Sequence, residues 1–409
     1  MGRGTRIAVG GVIGALSLVG AAAVATATIG VLVARKVIVP PSRREEDVTV
    51  RSVDLEAGLI ELEATDDSRL PGEYSFWFSH ETGHARLGEI VRSTSRTVTR
   101  RILGVDLGDI TTARRGRLTG WFFLTPADLG VAYREVDIPT PLGPAPAWLV
   151  PRGTADRGRW AIHVHGRAVR RPETLRAVPI FRAAGYNSLV VSYRNDGEAP
   201  RSDDHRYALG DREWQDVDAA IAYAVDHGAT EVVLVGWSMG GATVLQALTR
   251  SEHSDVISGV VLESPVVDWI AALDFQVRLR RLPVFVRSFV VLLFQKRWGR
   301  YFTGLAEPLD IDRLDFVSRA KELDRPVLVL HSDDDGFVPS TASRALAIAR
   351  PDIVTYEQFT VARHTKLWNY DRGRWEGAIR DWLARLPRTK ASAEQAAGAD
   401  PDQETRQRA

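Results

Sequence analysis

Serine is a weak nucleophile at neutral pH unless a base stands within hydrogen-bond reach and an acid orients that base. Ser238 sits where such help is usable. It lies in Gly236-Trp237-Ser238-Met239-Gly240, after the apolar run 232–235 and before a stretch of helical composition, 242–248. A short apolar run bounded by turn residues reads as a parallel strand buried on both faces. Strand, sharp turn and helix would push the Ser238 hydroxyl out at the carboxyl end of the sheet, on the amino end of a helix. Gly236 and Gly240 fit, because a side chain at either position would collide with the neighbouring strand or helix. G-x-S-x-G alone occurs by chance in turns; the strand before it and the helix after it carry the reading.

In this arrangement the acid and then the histidine follow the nucleophile along the chain. Of nine histidines only His364 lies beyond the last expected strand, in the loop before the final helix. The acid should follow the penultimate strand, where the chain reads His331-Ser332-Asp333-Asp334-Asp335-Gly336-Phe337-Val338-Pro339. Three aspartates compete there, and turn chemistry or helix capping accounts for two of them. A developing oxyanion needs donors. The N–H of Met239, next after the nucleophile, is one candidate; the N–H of Arg167, after His163-Val164-His165-Gly166, is the second. His163 and His165 project to one face, but no third ligand lies nearby and a metal pair is not expected.

The elements that must hold these residues alternate from Arg134 onward. Strands are expected at 134–138, 145–150, 160–165, 188–193, 231–235, 257–262, 327–331 and 353–359, the first two as a hairpin. Helices are expected at 173–184, 211–226, 242–250, 340–349 and 372–386, with Gly185 and Gly228 as stops. Such alternation means a mostly parallel sheet with helices on both faces, and ligands at the carboxyl ends of its strands. Between 264 and 325 the alternation breaks. Two helices, 269–282 and 284–298, flank Pro283 and are expected to form a cap at about 266–310. Phe285, Phe289 and Leu293, at four-residue spacing, would share a face toward the acyl site.

On these residues the chain from about 134 to 387 resembles the α/β-hydrolase superfamily, in the branch related to prolyl oligopeptidases and serine aminopeptidases. His165-Gly166-Arg167 is similar to that branch's oxyanion His-Gly, and Gly236 to Gly240 to its nucleophile elbow. His331 to Pro339 is similar to its H-G-x-x-D-x-x-V-P acid loop, with Ser332 in place of the glycine. The resemblance implies the α/β-hydrolase fold and a catalytic set of Ser238, Asp335 and His364. It selects Asp335, which spacing alone does not, and it implies no cofactor.

Before this domain, 48–130 mixes short segments with turn signals and reads as a β-rich unit, with strands at 59–63, 74–78, 89–92, 97–102 and 118–124. It resembles no module known to us. Its arginines, among them Arg100 and Arg117, read as a solvated strand face. No aromatic stacking pattern is interleaved with them, so nucleic acid is not an expected partner. Net charge is +1, which supplies no field toward polyanions. The chain has no cysteine, which excludes disulfides and thiol catalysis.

Residues 7–33 carry no charge. A run of about 27 residues is long enough to span a bilayer, so 7–34 is expected to be a single-pass membrane anchor, with a signal peptide cut near Ala21-Ala22-Ala23 as the rival reading. Basic residues on both sides, from Arg3 to Arg44, leave its orientation open. The tail 390–409 lacks aromatics and reads as disordered. The expectation is a membrane-anchored serine hydrolase acting on a small-molecule ester or thioester. A serine peptidase and a non-catalytic binding protein on the same fold are the alternatives.

Overall fold

The computed structural model describes residues 26–153 and 158–387. Helix α1, residues 26–38, opens the described chain. A Cβ on its Gly30 would meet the Phe289 ring at 2.4 Å, so glycine permits close packing there. Ala34 and Ile38 are fully buried, and Ile29, Val31, Val33 and Val37 pack beside them on the main core. The expected anchor overlaps this helix only at 26–34; its remainder lies outside the described residues, as does the expected tail. Among the described residues no helix is long and apolar enough to cross a membrane.

Six strands follow: β1 (Val48–Asp54), β2 (Leu59–Glu63), β3 (Tyr74–Phe78), β4 (Gly83–Ser93), β5 (Thr97–Leu107) and β6 (Arg115–Thr119). They close into an antiparallel barrel in the order β1-β2-β5-β4-β3-β6, so that no strand edge is left open. Ile60, Leu62, Tyr74, Phe76, Phe78, Leu87 and Leu118 fill it. Arg92, Arg96, Arg101, Arg114 and Arg115 are exposed, as a solvated face should be, and Arg100 is the exception. It is fully buried, and its guanidinium donates to the carbonyls of Ser68 (3.1 Å), Gly72 (3.0 Å) and Gly88 (2.7 Å), and to that of Leu70. Burial lowers its pKa to about 10. Arg100 thus ties the 68–72 turn to β4. The strand expected over 118–124 stops at Thr119, because the next residues leave the barrel. Trp121 and Phe122 bury themselves instead, the Phe122 ring 5.7 Å from that of Trp368.

The remaining chain builds one eight-stranded sheet flanked by helices. In chain order its elements are β7 (Arg134–Thr140), β8 (Gly143–Val150), β9 (Arg159–Val164), α2 (Val178–Ala183), β10 (Asn187–Val191), α3 (Trp214–Asp226), β11 (Glu231–Trp237), α4 (Met239–Arg250), β12 (Ile257–Glu263), α5 (Trp269–Leu279), α6 (Phe285–Gln295), α7 (Arg300–Thr303), β13 (Val327–Ser332), α8 (Ser340–Ala349), β14 (Val354–Phe359), α9 (Leu367–Tyr370) and α10 (Arg372–Leu383). The strand order is β14-β13-β12-β11-β9-β10-β8-β7. β7–β8 and β8–β10 pair antiparallel, and the other pairs are parallel. β11 is buried at every position, as an interior strand covered on both faces should be.

Several helices differ from expectation, three of them for clear local reasons. The helix expected at 173–184 opens as 3₁₀ turns over Arg171–Ala177 and becomes α-helical only at Val178, with Pro172 and Pro179 each at the start of its segment. α4 begins at Met239 rather than Ala242. Its glycines serve packing: a Cβ on Gly240 would sit 2.4 Å from the Val164 carbonyl, and one on Gly241 2.6 Å from Pro265 Cβ. α5 stops at Leu279, where Arg281 turns to φ 54° ahead of Pro283. In α6 the face shared by Phe285, Phe289 and Leu293 meets three different surroundings. Leu293 is in the core and Phe285 is 54% exposed, while Phe289 lies against Gly30 of α1.

Candidate active site

Ser238 joins β11 to α4 at φ 50° and ψ −116°, a conformation that costs a non-glycine residue about 1–3 kcal/mol and is held only where its surroundings over-determine it. They do so here. A Cβ on Gly236 would stand 2.6 Å from the Gly240 carbonyl, and Gly166 presses to within 3.2 Å of Ser238 Cβ by the same measure. The Ser238 N–H donates to the Glu263 carbonyl, and its carbonyl accepts from Gly241 and Val266.

The structure brings Ser238, His364 and Asp335 into one hydrogen-bonded chain. Ser238 Oγ lies 2.9 Å from His364 Nε2, and His364 Nδ1 lies 2.6 Å from Asp335 Oδ2. These residues come from the ends of β11, β13 and β14, all at the carboxyl edge of the sheet. Asp335 Oδ1 accepts from the N–H groups of Phe337 (2.8 Å) and Val338 (2.9 Å). His331 Nε2 stands 3.3 Å from Asp335 Oδ2. Burial opposes ionisation of Asp335, yet the charge of His364 and the hydrogen bonds from His331 and His364 hold its carboxyl far below the usual range. The two neighbouring aspartates are engaged elsewhere. Asp333 accepts from Ser340 Oγ (2.6 Å) and Arg344 (2.8 Å), and Asp334 approaches Arg363 at 3.8 Å.

Loop 165–168 lies along Ser238. The Gly166 N–H donates to Glu173 (3.0 Å), and the Gly166 carbonyl accepts from the Tyr193 hydroxyl (2.8 Å). In a trans peptide the following N–H points opposite to that carbonyl, so the Arg167 N–H is turned away from Tyr193. Among the described residues no backbone acceptor takes the N–H of Arg167 or of Met239, and Met239 opens α4, where N–H groups lack intrahelical partners. His163 and His165 are both fully buried. His163 meets Ser188 Oγ at 3.1 Å, and burial lowers its pKa to about 3. His165 meets Asp196 at 3.2 Å.

Several residues that hold the loop of His364 were not foreseen. Ser264 Oγ accepts from the Thr365 N–H (3.2 Å), and Glu263 accepts from the Leu367 N–H (3.3 Å). Glu263 also binds the indoles of Trp237 and Trp375, each at 2.9 Å. Its burial raises its pKa despite the nearby Arg176 charge. Arg176 donates to the Thr365 carbonyl (2.8 Å) and to Asn369 Oδ1 (2.7 Å). The one sequence signal was a charged residue closing the otherwise apolar strand 257–262. The barrel contributes too. Lys366 pairs with Asp67 at 2.8 Å, Arg363 approaches Asp66 at 3.4 Å, and Asn369 Nδ2 donates to the Glu73 carbonyl at 2.8 Å. On the cap side, Gln276 of α5 donates to the Phe337 carbonyl at 2.8 Å, and the Phe337 ring lies 5.4 Å from that of His364.

Residues 161–375, more than half the chain, match a family model described as alpha/beta hydrolase family. Residues 49–119, the barrel, match a domain of unknown function, DUF8805. No curated protein matches the chain. Among solved structures, an esterase of Pyrococcus furiosus, Pf2001, is similar at 20% identity over 64% of this chain and 95% of its own, with a TM-score of 0.50. The esterase RhEst1 of a Rhodococcus species is similar at 20% identity over 62% of this chain and 99% of its own, with a TM-score of 0.42. A puromycin-hydrolysing peptidase of Mycobacterium tuberculosis is similar at 19% identity over 79% of this chain and 49% of its own, with a TM-score of 0.47. At this identity the likeness to Pf2001 speaks to the fold alone.

Proposed function

Because the chain belongs to the alpha/beta hydrolase family, we propose that it is a serine hydrolase cleaving an ester or thioester through an acyl-enzyme. The carrying observation is the hydrogen-bonded chain from Ser238 through His364 to Asp335. Ser238 Oγ attacks the substrate carbonyl carbon and passes its proton to His364 Nε2. Asp335, ionised by its surroundings, holds the imidazole by Nδ1 and stabilises the imidazolium. The N–H groups of Arg167 and Met239 receive the negative charge that grows on the carbonyl oxygen. His364 then returns the proton to the leaving alcohol or thiol as the C–O or C–S bond breaks. Water, deprotonated by the same imidazole, attacks the acyl-enzyme and releases the acid. A fluorophosphonate probe tests the reading: it should label the protein at Ser238, and labelling that survives Ser238→Ala would sink it.

The same reading places the enzyme at a membrane, with lipophilic acyl chains as substrates. It is supported by the uncharged run 7–33 and by the outer surface of the cap, where Phe285, Leu292, Trp298, Tyr301 and Phe302 are 41–76% exposed. Exposed apolar patches of this kind mark contact with a membrane or partner. Flotation of the full chain with liposomes tests it; a protein left wholly in the soluble layer would contradict it.

A further inference from the structure

A cavity of about 340 Å3 opens between the linker 39–44 and the loops around 168–170 and 195–207. Five arginines line it, Arg43, Arg44, Arg170, Arg201 and Arg206, against only two acidic residues, Glu81 and Asp196. Both carboxylates are already engaged. Glu81 takes Arg44 (2.6 Å) and Arg117 (2.8 Å). Asp196 takes His165 (3.2 Å) and the N–H groups of Glu198 and Ala199, each at 2.8 Å. Among the described residues no carboxylate lies within ion-pairing distance of Arg43, Arg170 or Arg201, and Arg206 donates only to carbonyls, those of Thr303 and His205. A concave site with three guanidinium groups that no carboxylate answers suits a multiply charged anion, since a single carboxylate needs only one bidentate arginine.

The walls are built stiffly. Ala168, Asn195 and His205, all lining the cavity, hold φ of 61°, 69° and 51°. Asn195 is pinned by its side chain to Ser202 Oγ and the Arg206 carbonyl, each at 2.8 Å. Clustered left-handed backbone at non-glycine positions is characteristic of ligand clamps. The cavity shares a loop with the candidate active site, whose residues do not themselves line it. Ala168 is two residues beyond Gly166, which abuts Ser238, and two residues reach at most about 7 Å.

The geometry points to a subsite for a phosphate-type anion carried by the substrate, so that the enzyme takes acyl esters whose alcohol bears a phosphate. This inference rests on the ester-hydrolase reading above. The guanidinium groups bind the phosphate and do not react; the bond that breaks remains the acyl ester at Ser238.

The test uses the full chain and two esters with one acyl chain, a monoacylglycerol and the same compound phosphorylated at the 3-hydroxyl. The readout is the ratio of kcat/KM, phosphate ester over neutral ester, within one preparation, so a partly unfolded variant cancels out. The wild type should favour the phosphate ester. Arg170→Ala combined with Arg201→Ala should cut the ratio at least about tenfold, and Lys at both positions should restore part of it. A ratio near one in the wild type, or one unmoved by the double variant, overturns the proposal. Calorimetric titration with inorganic pyrophosphate reads the cavity without catalysis. Affinity that falls in the double variant while the ester ratio does not would assign the cavity to a free anion or a lipid headgroup, and overturns its substrate role. If neither ester is cleaved but arginine-dependent pyrophosphate binding persists, the hydrolase reading fails and the anion site stands.

Discussion

Lys366, two residues beyond the candidate base, places its ammonium 2.8 Å from the Asp67 carboxylate of the barrel. The loop carrying His364 is therefore gripped from two sides. Glu263 and Ser264 hold it from the sheet, and the 66–73 turn holds it from the barrel. Asp67→Asn should lower kcat on a small ester by about tenfold, since a small misplacement of a base is costly, with KM and the melting temperature little changed. A matched loss in KM alone would show that the contact does not position the base.

Ser238→Ala should reduce turnover on the order of a million-fold, as in a comparable triad. Burst-phase release of the alcohol from an activated ester reads the acyl-enzyme directly. A burst that persists in the variant would place the nucleophile elsewhere.

Asp335→Asn should cost about ten-thousand-fold in turnover, by analogy with the same exchange in a comparable triad. Asp333→Asn, whose partners are Ser340 and Arg344, should cost about tenfold or less, as should Asp334→Asn. Thermal melts check that each variant folds. A crippled Asp333 variant beside an active Asp335 variant would reassign the acid.

Asp335 also gives a pH signature. Its folded pKa is depressed, so its ionisation stabilises the fold at pH values above the unfolded aspartate pKa of about 3.9. That stabilisation is lost as pH falls further toward the folded value. The melting-temperature gap between wild type and Asp335→Asn should thus be full at pH 6 and shrink below about pH 4. A gap that widens on acidification would contradict the assignment.

Truncation separates α1 from what precedes it. A chain beginning at residue 26 should keep its activity on small esters. A chain beginning at Lys36 loses Ala34 and the apolar residues around it from the core, and should be less stable by about 3 kcal/mol, the value of one or two buried side chains. Urea melts of the two chains decide this.

The positions around Ser238 were legible because their signals are local. An apolar run, two glycines and a helical stretch lie within eighteen residues, 231–248. His364 stood out by its order in the chain. Glu263 and Arg176 were not legible as supports of the base, because their partners lie 104 and 189 residues away in sequence. Barrel closure was hidden for a similar reason. β1 meets β6 only through Val48–Gly116 and Thr49–Arg115. β4 slips register repeatedly against β5, which spoils the alternation that marks a strand. Arg100 misled because charge in a strand ordinarily means solvent, whereas here four carbonyls meet its guanidinium.

The grip of the barrel on the loop of His364 has a consequence for how the protein is made. Chains leave the ribosome amino end first, and domains fold as units in that order. The barrel is complete once residue 119 has emerged, whereas His364 follows β14, the last strand of the sheet. His364 therefore follows the barrel residues that its loop meets, Asp67 and the Glu73 carbonyl, which take Lys366 and Asn369. Nascent chains halted before residue 364 would carry Ser238 without His364, so on the proposed mechanism the serine stays unactivated until that loop has been made.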